Sequence, residues 1–271
     1  YLILLFALAL GMFLRFYHFR DWFFFEVDEE HYAFMTRMIT VDRHFPLIGG
    51  PISGTKLYMA PWFLYFNAIW FWLSRNSVLF GGAVITTISL MTSYVLYLIG
   101  KKIFSKKVGA LAALLYSSSF LMVLFDRHYW NITLAPFLSA LIFLGLLYWR
   151  DGSRKWLIIL SLVMGFALST TFSLFAVFLF ILIVILFGKK PVIKKDLFIF
   201  LGIIILCHLT LILFDLRHDW WLTKAFLEFL TIHPYSSVPI LSRIIHTGGL
   251  MLMELGKSLA ITTPLDVSNE I

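Results

Sequence analysis

Acidic residues are scarce in this chain of 271 residues, and cysteine is almost absent. Asp and Glu number 15 against 22 Lys and Arg, and charged residues make up only 14% of the sequence. Cys207 is the only cysteine, which excludes an intrachain disulfide and a cysteine-based metal site. The sequence has no glycine-rich phosphate loop, no Gly-x-Ser-x-Gly elbow and no His-x-x-x-His pair. It therefore lacks the signatures of P-loop enzymes, serine hydrolases and zinc proteases.

Apolar residues dominate instead. They make up 61% of the chain, and the mean hydropathy of +0.90 lies outside the range of ordinary soluble domains. The composition predicts an all-α, multi-pass bundle of transmembrane helices. The net charge of +7 arises from basic residues in short loops between apolar runs, a pattern typical of topology signals rather than of nucleic-acid binding. We therefore expect membrane lipids, and no nucleic acid, as partners.

Runs of about 18 or more apolar residues predict spanning helices. The segments that meet or approach this length are Tyr1–Leu14, Val78–Gly100, Val108–Phe125, Ile132–Trp149, Trp156–Phe187 and Leu197–Phe214. A helix over residues 156–187 would exceed the membrane thickness, so we expect a break at the polar residues Ser169-Thr170-Thr171. Because apolar sequence starts at Tyr1 and polar sequence precedes Ile271, we interpret the chain as one membrane domain, 1–271, from a longer protein.

Basic residues are concentrated in three of the short loops. The three loops hold eleven of the 22: Lys101, Lys102, Lys106, Lys107, Arg150, Arg154, Lys155, Lys189, Lys190, Lys194 and Lys195. The positive-inside rule places these loops in the cytoplasm. Residues 15–77 then form an external loop, 78–214 the transmembrane helices and 215–271 a second external segment. We interpret the aromatic segment Leu57–Leu73 as a helix in the outer interface, with a true span as the alternative.

The external loop contains an acidic cluster. Six of the 15 Asp and Glu lie between Asp21 and Asp42, and Asp28, Glu29 and Glu30 are consecutive. A carboxylate at a helix start is favoured by the helix dipole and can act as a base, although a solvated loop would carry the same charges. We predict an amphipathic helix from Asp28 to Thr40 whose buried stripe contains Phe34, Met38 and Val41.

Two further charged motifs are expected on the same side. Asp126-Arg127-His128-Tyr129-Trp130-Asn131 lies between two spans, and Arg127 offers planar donors for a phosphate or carboxylate. The alternative is a structural turn in which Asp126 and Arg127 pair with each other. Phe214-Asp215-Leu216-Arg217-His218-Asp219 follows the last span, where Arg217 and His218 could neutralise a phosphate. The alternative for that motif is a charged cap.

Four segments, in order, resemble the GT-C glycosyltransferases related to dolichyl-phosphate-mannose protein mannosyltransferases and to the aminoarabinose transferases of lipid A. They are Val27-Asp28-Glu29-Glu30-His31-Tyr32, Leu57–Tyr65, Asp126–Asn131 and Phe214–Asp219. The chain departs from these relatives at two places. The aminoarabinose transferases have Lys before a double proline in the external loop, whereas this chain has Ala60-Pro61-Trp62, with Lys56 as the nearest cation. Related bacterial members often have His at the turn after the fifth span, where this chain has Thr170-Thr171.

The resemblance implies a bacterial plasma-membrane enzyme that moves a hexosyl or pentosyl group, with inversion, from a polyprenyl-phosphate donor to an external protein, lipid or polysaccharide. We predict Asp28 and Glu29 as catalytic. The predicted donor-phosphate or substrate contacts are Arg127, Arg217, His218, His31, Tyr58 and Lys56. The sequence supports no cofactor or metal site, although a divalent ion is compatible with the chemistry. The alternatives are a transporter or flippase, which should carry ionisable residues at mid-span, and a non-catalytic scaffold.

Overall fold

The computed structural model describes residues 2–52, 55–187, 194–231 and 249, and helices dominate these residues. Its α-helices there are α1 (Leu2–Phe16), α2 (Val27–Thr40), α3 (Trp62–Leu73), α4 (Val78–Ile103), α5 (Lys106–Ser118), α6 (Phe120–Phe125), α7 (Ala135–Arg150), α8 (Arg154–Thr170), α9 (Phe175–Phe187), α10 (Lys194–Cys207), α11 (Leu209–Arg217) and α12 (Trp221–Thr231). The described residues also contain two isolated β-bridges, but they contain no extended β-strand. The predicted all-α class is confirmed.

The chain divides into two compact units, Tyr1–Phe226 and Leu227–Ile271. In the first unit α4 packs on α1, α5 and α7, while α8 packs on α7 and α10. Gly100 and Gly109 let α4 and α5 touch through their backbones, since a Cβ on Gly100 would lie 2.6 Å from the Cα of Gly109. In the second unit, the Thr231 hydroxyl donates to the Glu228 carbonyl at 2.9 Å.

Two helices among the described residues are long and apolar enough to cross a membrane, Val78–Ile103 and Ile132–Arg150. A third candidate is the pair Lys195–Cys207 and Leu209–Arg217, which bends by 53° at His208. The bend frees backbone carbonyls, and the indole N–H of Trp62 donates to the carbonyl of Cys207. A buried carbonyl without a donor is costly, so this contact between α3 and α10 stabilises the break.

The predicted break in residues 156–187 is confirmed. Helix α8 ends at Thr170, and a short 3₁₀ turn, Phe172–Leu174, precedes α9. The Thr170 hydroxyl donates to the Ala167 carbonyl at 2.7 Å, and the Thr171 hydroxyl accepts from the Ser173 amide. The Thr171 hydroxyl thus caps the 3₁₀ turn, and the Thr170 hydroxyl adds a second hydrogen bond to a carbonyl that also accepts the Thr171 amide.

The predicted segment Val108–Phe125 is not one continuous helix. Ser119 has extended backbone angles and separates α5 from α6. The Ser117 carbonyl, left without a helical donor, accepts from the Arg15 guanidinium at 2.9 Å. The sequence analysis did not predict this interruption, although three consecutive serines, Ser117-Ser118-Ser119, stand there between two apolar runs.

Helix α2 confirms the predicted amphipathic helix, but the predicted buried stripe is wrong. Phe34 and Val41 are 62% and 50% exposed. The buried face of α2 consists of Glu29, Tyr32, Ala33, Thr36 and Ile39. The face is mixed in polarity because Thr36 and Glu29 have polar partners inside the protein, so hydrophobicity alone pointed to the wrong side.

Helix α3 contains 12 residues, which corresponds to roughly 18 Å, against about 30 Å of membrane hydrocarbon. Leu57 to Pro61 precede it without helical structure. The length is compatible with the predicted interfacial helix and is too short for an independent span. The loop residues Lys189 and Lys190, used to predict orientation, lie outside the described residues.

Candidate active site

The acidic cluster forms the first turn of α2. Glu26 is the N-cap residue, and its amide donates to Oε2 of Glu29 at 3.1 Å. Glu29 is only 3% exposed, whereas Asp28 and Glu30 are exposed. The adjacent carboxylates therefore have different surroundings: Glu29 points into the protein and Asp28 faces outward.

The buried Glu29 contacts a histidine from the motif at 126–131. Oε1 of Glu29 lies 2.8 Å from Nδ1 of His128. The His128 ring stacks on Phe24 with a centroid distance of 4.6 Å and an interplanar angle of 4°. The amide of Phe24 also donates to the Arg127 carbonyl at 3.2 Å, within a parallel β-bridge. The acidic cluster and the second motif are therefore one connected structure.

Arg127 has protein partners for its guanidinium. It is 6% exposed and donates to the carbonyls of Leu14, Arg15 and Tyr17, the last two at 3.2 Å. These carbonyls are at the C-terminus of α1, where helical acceptors lack intrahelical donors. Burial, and secondly the charge of Arg15, lower the pKa of Arg127 from its usual value. The structure places Arg127 as a cap of α1.

Asp126 forms a buried ion pair with Arg15. Oδ2 of Asp126 lies 2.7 Å from Nε of Arg15, and both side chains are fully buried. Burial raises the pKa of Asp126 to about 6, while the Arg15 charge and hydrogen bond favour its ionised form. The alternative predicted for this motif, a structural turn, receives support, but Asp126 and Arg127 both bind the end of α1 rather than each other.

A second cluster lies where α11 ends. A pocket of about 470 Å³ is lined by Ile48, Tyr58, Phe214, Arg217, His218, Asp219 and Trp221. Three predicted substrate residues, Tyr58, Arg217 and His218, thus meet in one place. The rings of Phe214 and His218 stack at 4.0 Å, and those of Tyr58 and Trp221 lie 5.8 Å apart. Arg217, His218 and Asp219 are exposed.

Asp215 organises the turn that presents Arg217 and His218. Its buried carboxylate accepts from the amides of Leu222, at 2.7 Å, and Thr223, at 3.2 Å, and so caps α12. Asp219 and Trp220 adopt left-handed backbone, with φ of 52° and 58°. Such a conformation costs roughly 1–2 kcal/mol per residue, so the cap must maintain the tight turn.

The opposite wall of the pocket, containing Tyr58, belongs to an extended segment. The Gly49 amide donates to the Met59 carbonyl, the Met59 amide donates to the Gly50 carbonyl, and Pro51 pairs with Tyr58 in an antiparallel bridge. A side chain on Gly50 would collide with the Tyr32 ring, so glycine lets this segment pack against α2. The segment thereby connects the acidic helix with the pocket.

The remaining predicted residues lie around these two clusters. His31 is exposed on α2 and contacts the Tyr32 ring edge to face at 6.1 Å. Lys56 is exposed on the segment that carries Tyr58. Asp28, Lys56 and Arg127 do not line the pocket. No group of three or more His, Cys, Asp or Glu among the described residues could hold a metal ion.

The two clusters can do complementary chemistry. A guanidinium and an imidazole at the edge of an aromatic pocket can bind a phosphodiester, and an exposed carboxylate at a helix start can accept a proton. A comparison with protein families finds a match over residues 56–214 to the model described as dolichyl-phosphate-mannose-protein mannosyltransferase. The chain belongs to this family. No curated protein and no solved structure matches the chain.

Membership of the mannosyltransferase family makes the protein a membrane glycosyltransferase of the GT-C type. The matched region includes Lys56, Tyr58 and Arg127. Asp28, Glu29 and His31 precede it, while Arg217 and His218 follow it, so the roles of these residues rest on geometry. Sequence reasoning did not select Arg15 or His128. The sequence signal for Arg15 was a cation at the end of an apolar helix. His128 belongs to a motif in which Arg127 was predicted to be the functional residue.

Proposed function

We infer that this mannosyltransferase-family protein transfers a hexosyl or pentosyl group from a polyprenyl-phosphate donor to an acceptor on the external face of the membrane. The observation that carries the proposal is the meeting of Arg217, His218 and Tyr58 in one pocket. A lipid-linked phosphate presents one anionic group beside an apolar chain. The pocket offers donors for the anion and apolar surface for the chain, from Ile48, Phe214 and Trp221.

Arg217 is the main contact with the donor phosphate in this proposal. Its planar guanidinium can bind two phosphate oxygens at once and neutralise the charge that develops as the phosphate leaves. His218 and the Tyr58 hydroxyl supply further donors. Lys56, on the same segment as Tyr58, and His31 are proposed to contact the sugar or acceptor. Arg127, which the sequence also suggested as a phosphate contact, is proposed to serve the fold instead, because its guanidinium donates to the carbonyls at the end of α1.

Asp28 is the proposed catalytic carboxylate. The acceptor oxygen attacks the anomeric carbon, the bond from that carbon to the phosphate oxygen breaks, and the acceptor proton passes to Asp28. Attack from the side opposite the leaving phosphate inverts the anomeric centre. Asp28 suits this role because it is exposed beside the buried Glu29, which supports its position. The acceptor is a protein, lipid or polysaccharide hydroxyl.

The external location rests on the charged loops. Lys101 and Arg154 are proposed to be cytoplasmic, and Asp28, Tyr58 and Arg217 external. After replacement of Cys207, single cysteines at these five positions can be labelled in intact cells with a membrane-impermeant reagent. Labelling at position 101 combined with protection at position 28 would reverse the proposed orientation.

The activity is tested with the full chain in proteoliposomes containing polyprenyl-phosphate hexoses and pentoses. Arg217→Lys should raise the donor KM even though charge is retained, because the guanidinium fork is lost. Arg37→Ala, at an exposed arginine near the end of α2, is the matched control. Absence of transfer with every donor and acceptor would overturn the proposal. Movement of the donor across the bilayer without transfer would favour the transporter class instead.

A further inference from the structure

The turn at residues 126–128 contacts both ends of the segment that connects α1 to α2. At one end, Asp126 binds Arg15 and the Arg127 guanidinium binds carbonyls at the end of α1. At the other end, Phe24 pairs with the same turn, and His128 reaches Glu29 in the first turn of α2. Residues 17–26, which connect α1 to α2, are therefore attached to this turn near both of their ends.

Glu29 depends on His128 for its burial. Its two carboxylate oxygens have one partner each: Nδ1 of His128 at 2.8 Å and the Glu26 amide at 3.1 Å. An ionised carboxylate accepts hydrogen bonds only, so Nδ1 of His128 must carry a proton and act as the donor. Loss of this donor would leave a nearly buried carboxylate oxygen unsatisfied, which favours rotation of Glu29 toward solvent.

A Glu29 side chain that turned toward solvent would also lose its capping contact with the Glu26 amide, which would loosen the first turn of α2 that includes Asp28. Consecutive residues are separated by 100° around a helix, and the first turn has no preceding turn to hold it. With Glu29 pointing inward, Asp28 is exposed. If the first turn frays or rotates, the Asp28 carboxylate leaves this orientation. Misplacement of a catalytic group by about 1 Å can lower a rate about 100-fold.

We propose that His128 is a positioning residue that holds the Asp28 carboxylate in place through its hydrogen bond to Glu29. The inference rests on the proposed role of Asp28, and it adds a function for His128 that does not require contact with either substrate. The stacked Phe24 ring maintains the orientation of the imidazole, so that Nδ1 faces Glu29.

Two substitutions of His128 separate the contribution of its hydrogen bond from the contribution of its stacked ring. His128→Asn keeps an N–H donor near the position of Nδ1 but loses the ring that stacks on Phe24. His128→Phe keeps a stacking ring but loses the donor. The proposal predicts that Asn preserves function better than Phe, whereas a purely packing role for His128 predicts the reverse order.

The variants are compared as full chains in nanodiscs by two measurements, sugar transfer and hydrogen exchange of the first hydrogen-bonded amides of α2, residues 30–33. For His128→Phe we expect kcat to fall about 10- to 100-fold, with the donor KM within about twofold and faster exchange at these amides. His128→Asn should retain kcat within about threefold of wild type. Glu29→Leu should reproduce the His128→Phe result, and the double variant should add little to it.

The outcomes distinguish this inference from the proposed function. Unchanged exchange at residues 30–33 in His128→Phe overturns the inference, whether or not wild type transfers sugar. Faster exchange with unaltered kcat also overturns it, because the contact would then be structural only. Equal losses in the Phe and Asn variants would assign the effect to another property of the ring. If wild type transfers no sugar, the proposed function fails, while faster exchange in Phe but not in Asn still supports the contact.

Discussion

Two turns of this protein contain the same residue types and use them differently. Asp126-Arg127-His128 is a buried turn whose side chains bind the end of α1 and the start of α2. Asp215 to Asp219 includes Arg217 and His218, both exposed at the edge of a pocket. From the sequence alone, Arg127 and Arg217 were equally good candidates to bind a phosphate. Only one presents its guanidinium toward open space, because the other lies against helical carbonyls that need donors.

The aspartates of the two turns also differ. Asp126 neutralises a buried arginine, whereas Asp215 caps the N-terminus of α12 and thereby shapes the turn that exposes Arg217. One turn joins parts of the protein that are distant in sequence, and the other is organised by its own neighbours. A charged motif next to an apolar segment therefore indicates a helix end. The motif alone does not show whether its charges stabilise the fold or bind a ligand.

The largest effect is expected at Asp28, the exposed carboxylate next to the buried turn. Asp28→Asn should lower turnover by about 10²- to 10⁴-fold, because a positioned base contributes a factor of that order. Since Asp28 is exposed, the thermal stability should be unchanged. Sugar transfer under donor saturation measures the effect, and Glu30→Gln, at an exposed carboxylate of the same turn, is the matched control. Wild-type turnover in Asp28→Asn would assign catalysis to another carboxylate.

The next largest effect concerns the buried ion pair. Arg15→Met or Asp126→Val should each lower the free energy of unfolding by about 3–5 kcal/mol, because each leaves an uncompensated buried charge. The double variant should lose less than the sum, since neither charge remains. Denaturation in detergent, monitored by the helical circular dichroism signal, gives the unfolding free energies for this double-mutant cycle. Strictly additive losses would show that the two side chains stabilise the fold independently.

The comparison of the two arginines is tested directly by their alanine variants. Arg217→Ala should raise the donor KM about 10- to 100-fold with an unaltered melting temperature, because a charged hydrogen-bond donor to the phosphate is lost. Arg127→Ala should instead lower stability by about 2 kcal/mol or more, because helical carbonyls lose their donor. Donor titrations and thermal melts of both variants are needed. A raised KM with normal stability in Arg127→Ala would contradict the assignment of Arg127 to the fold.

The smallest effect is expected at Trp62, which stabilises the bend ahead of α11. Trp62→Phe removes the indole N–H that donates to Cys207 and should cost about 1 kcal/mol. Because α11 carries Arg217, we also expect a modest rise in donor KM. Trp70→Phe is a control from the same helix, since the N–H of Trp70 has no hydrogen-bond partner among the described residues. Equal stability losses in both variants would remove the special role of Trp62.

Several elements could be predicted from local sequence. Helix α2 follows from its acidic first turn, and the break after Thr170 follows from a long apolar stretch interrupted by hydroxyl residues. The helix predicted over Leu57–Leu73 is present, but it begins only at Trp62, after Pro61. In each case the decisive interactions occur within a few residues, so periodicity, capping and length are sufficient.

The buried face of α2 could not be predicted in this way, and the division between α5 and α6 was missed although Ser117, Ser118 and Ser119 are consecutive there. Tyr32 and Thr36 are buried because Phe63 and Tyr129 meet them, and Ser119 interrupts the helix where Arg15 reaches the Ser117 carbonyl. These contacts join residues about 30 to 100 positions apart. No local pattern records which distant side chain will satisfy a given backbone group.

Composition and hydropathy by themselves determined that the protein is a helical membrane protein, because burying backbone in hydrocarbon leaves few alternatives to helices. The acidic start of α2 and the two charged motifs at 126–131 and 214–219 were also evident from the sequence. Only the tertiary structure decided that Arg127 caps α1, that His128 binds Glu29, and that Arg217 faces a pocket. The physical reason is that each charged group takes the partner its surroundings provide, and those surroundings arise from helices brought together across the chain.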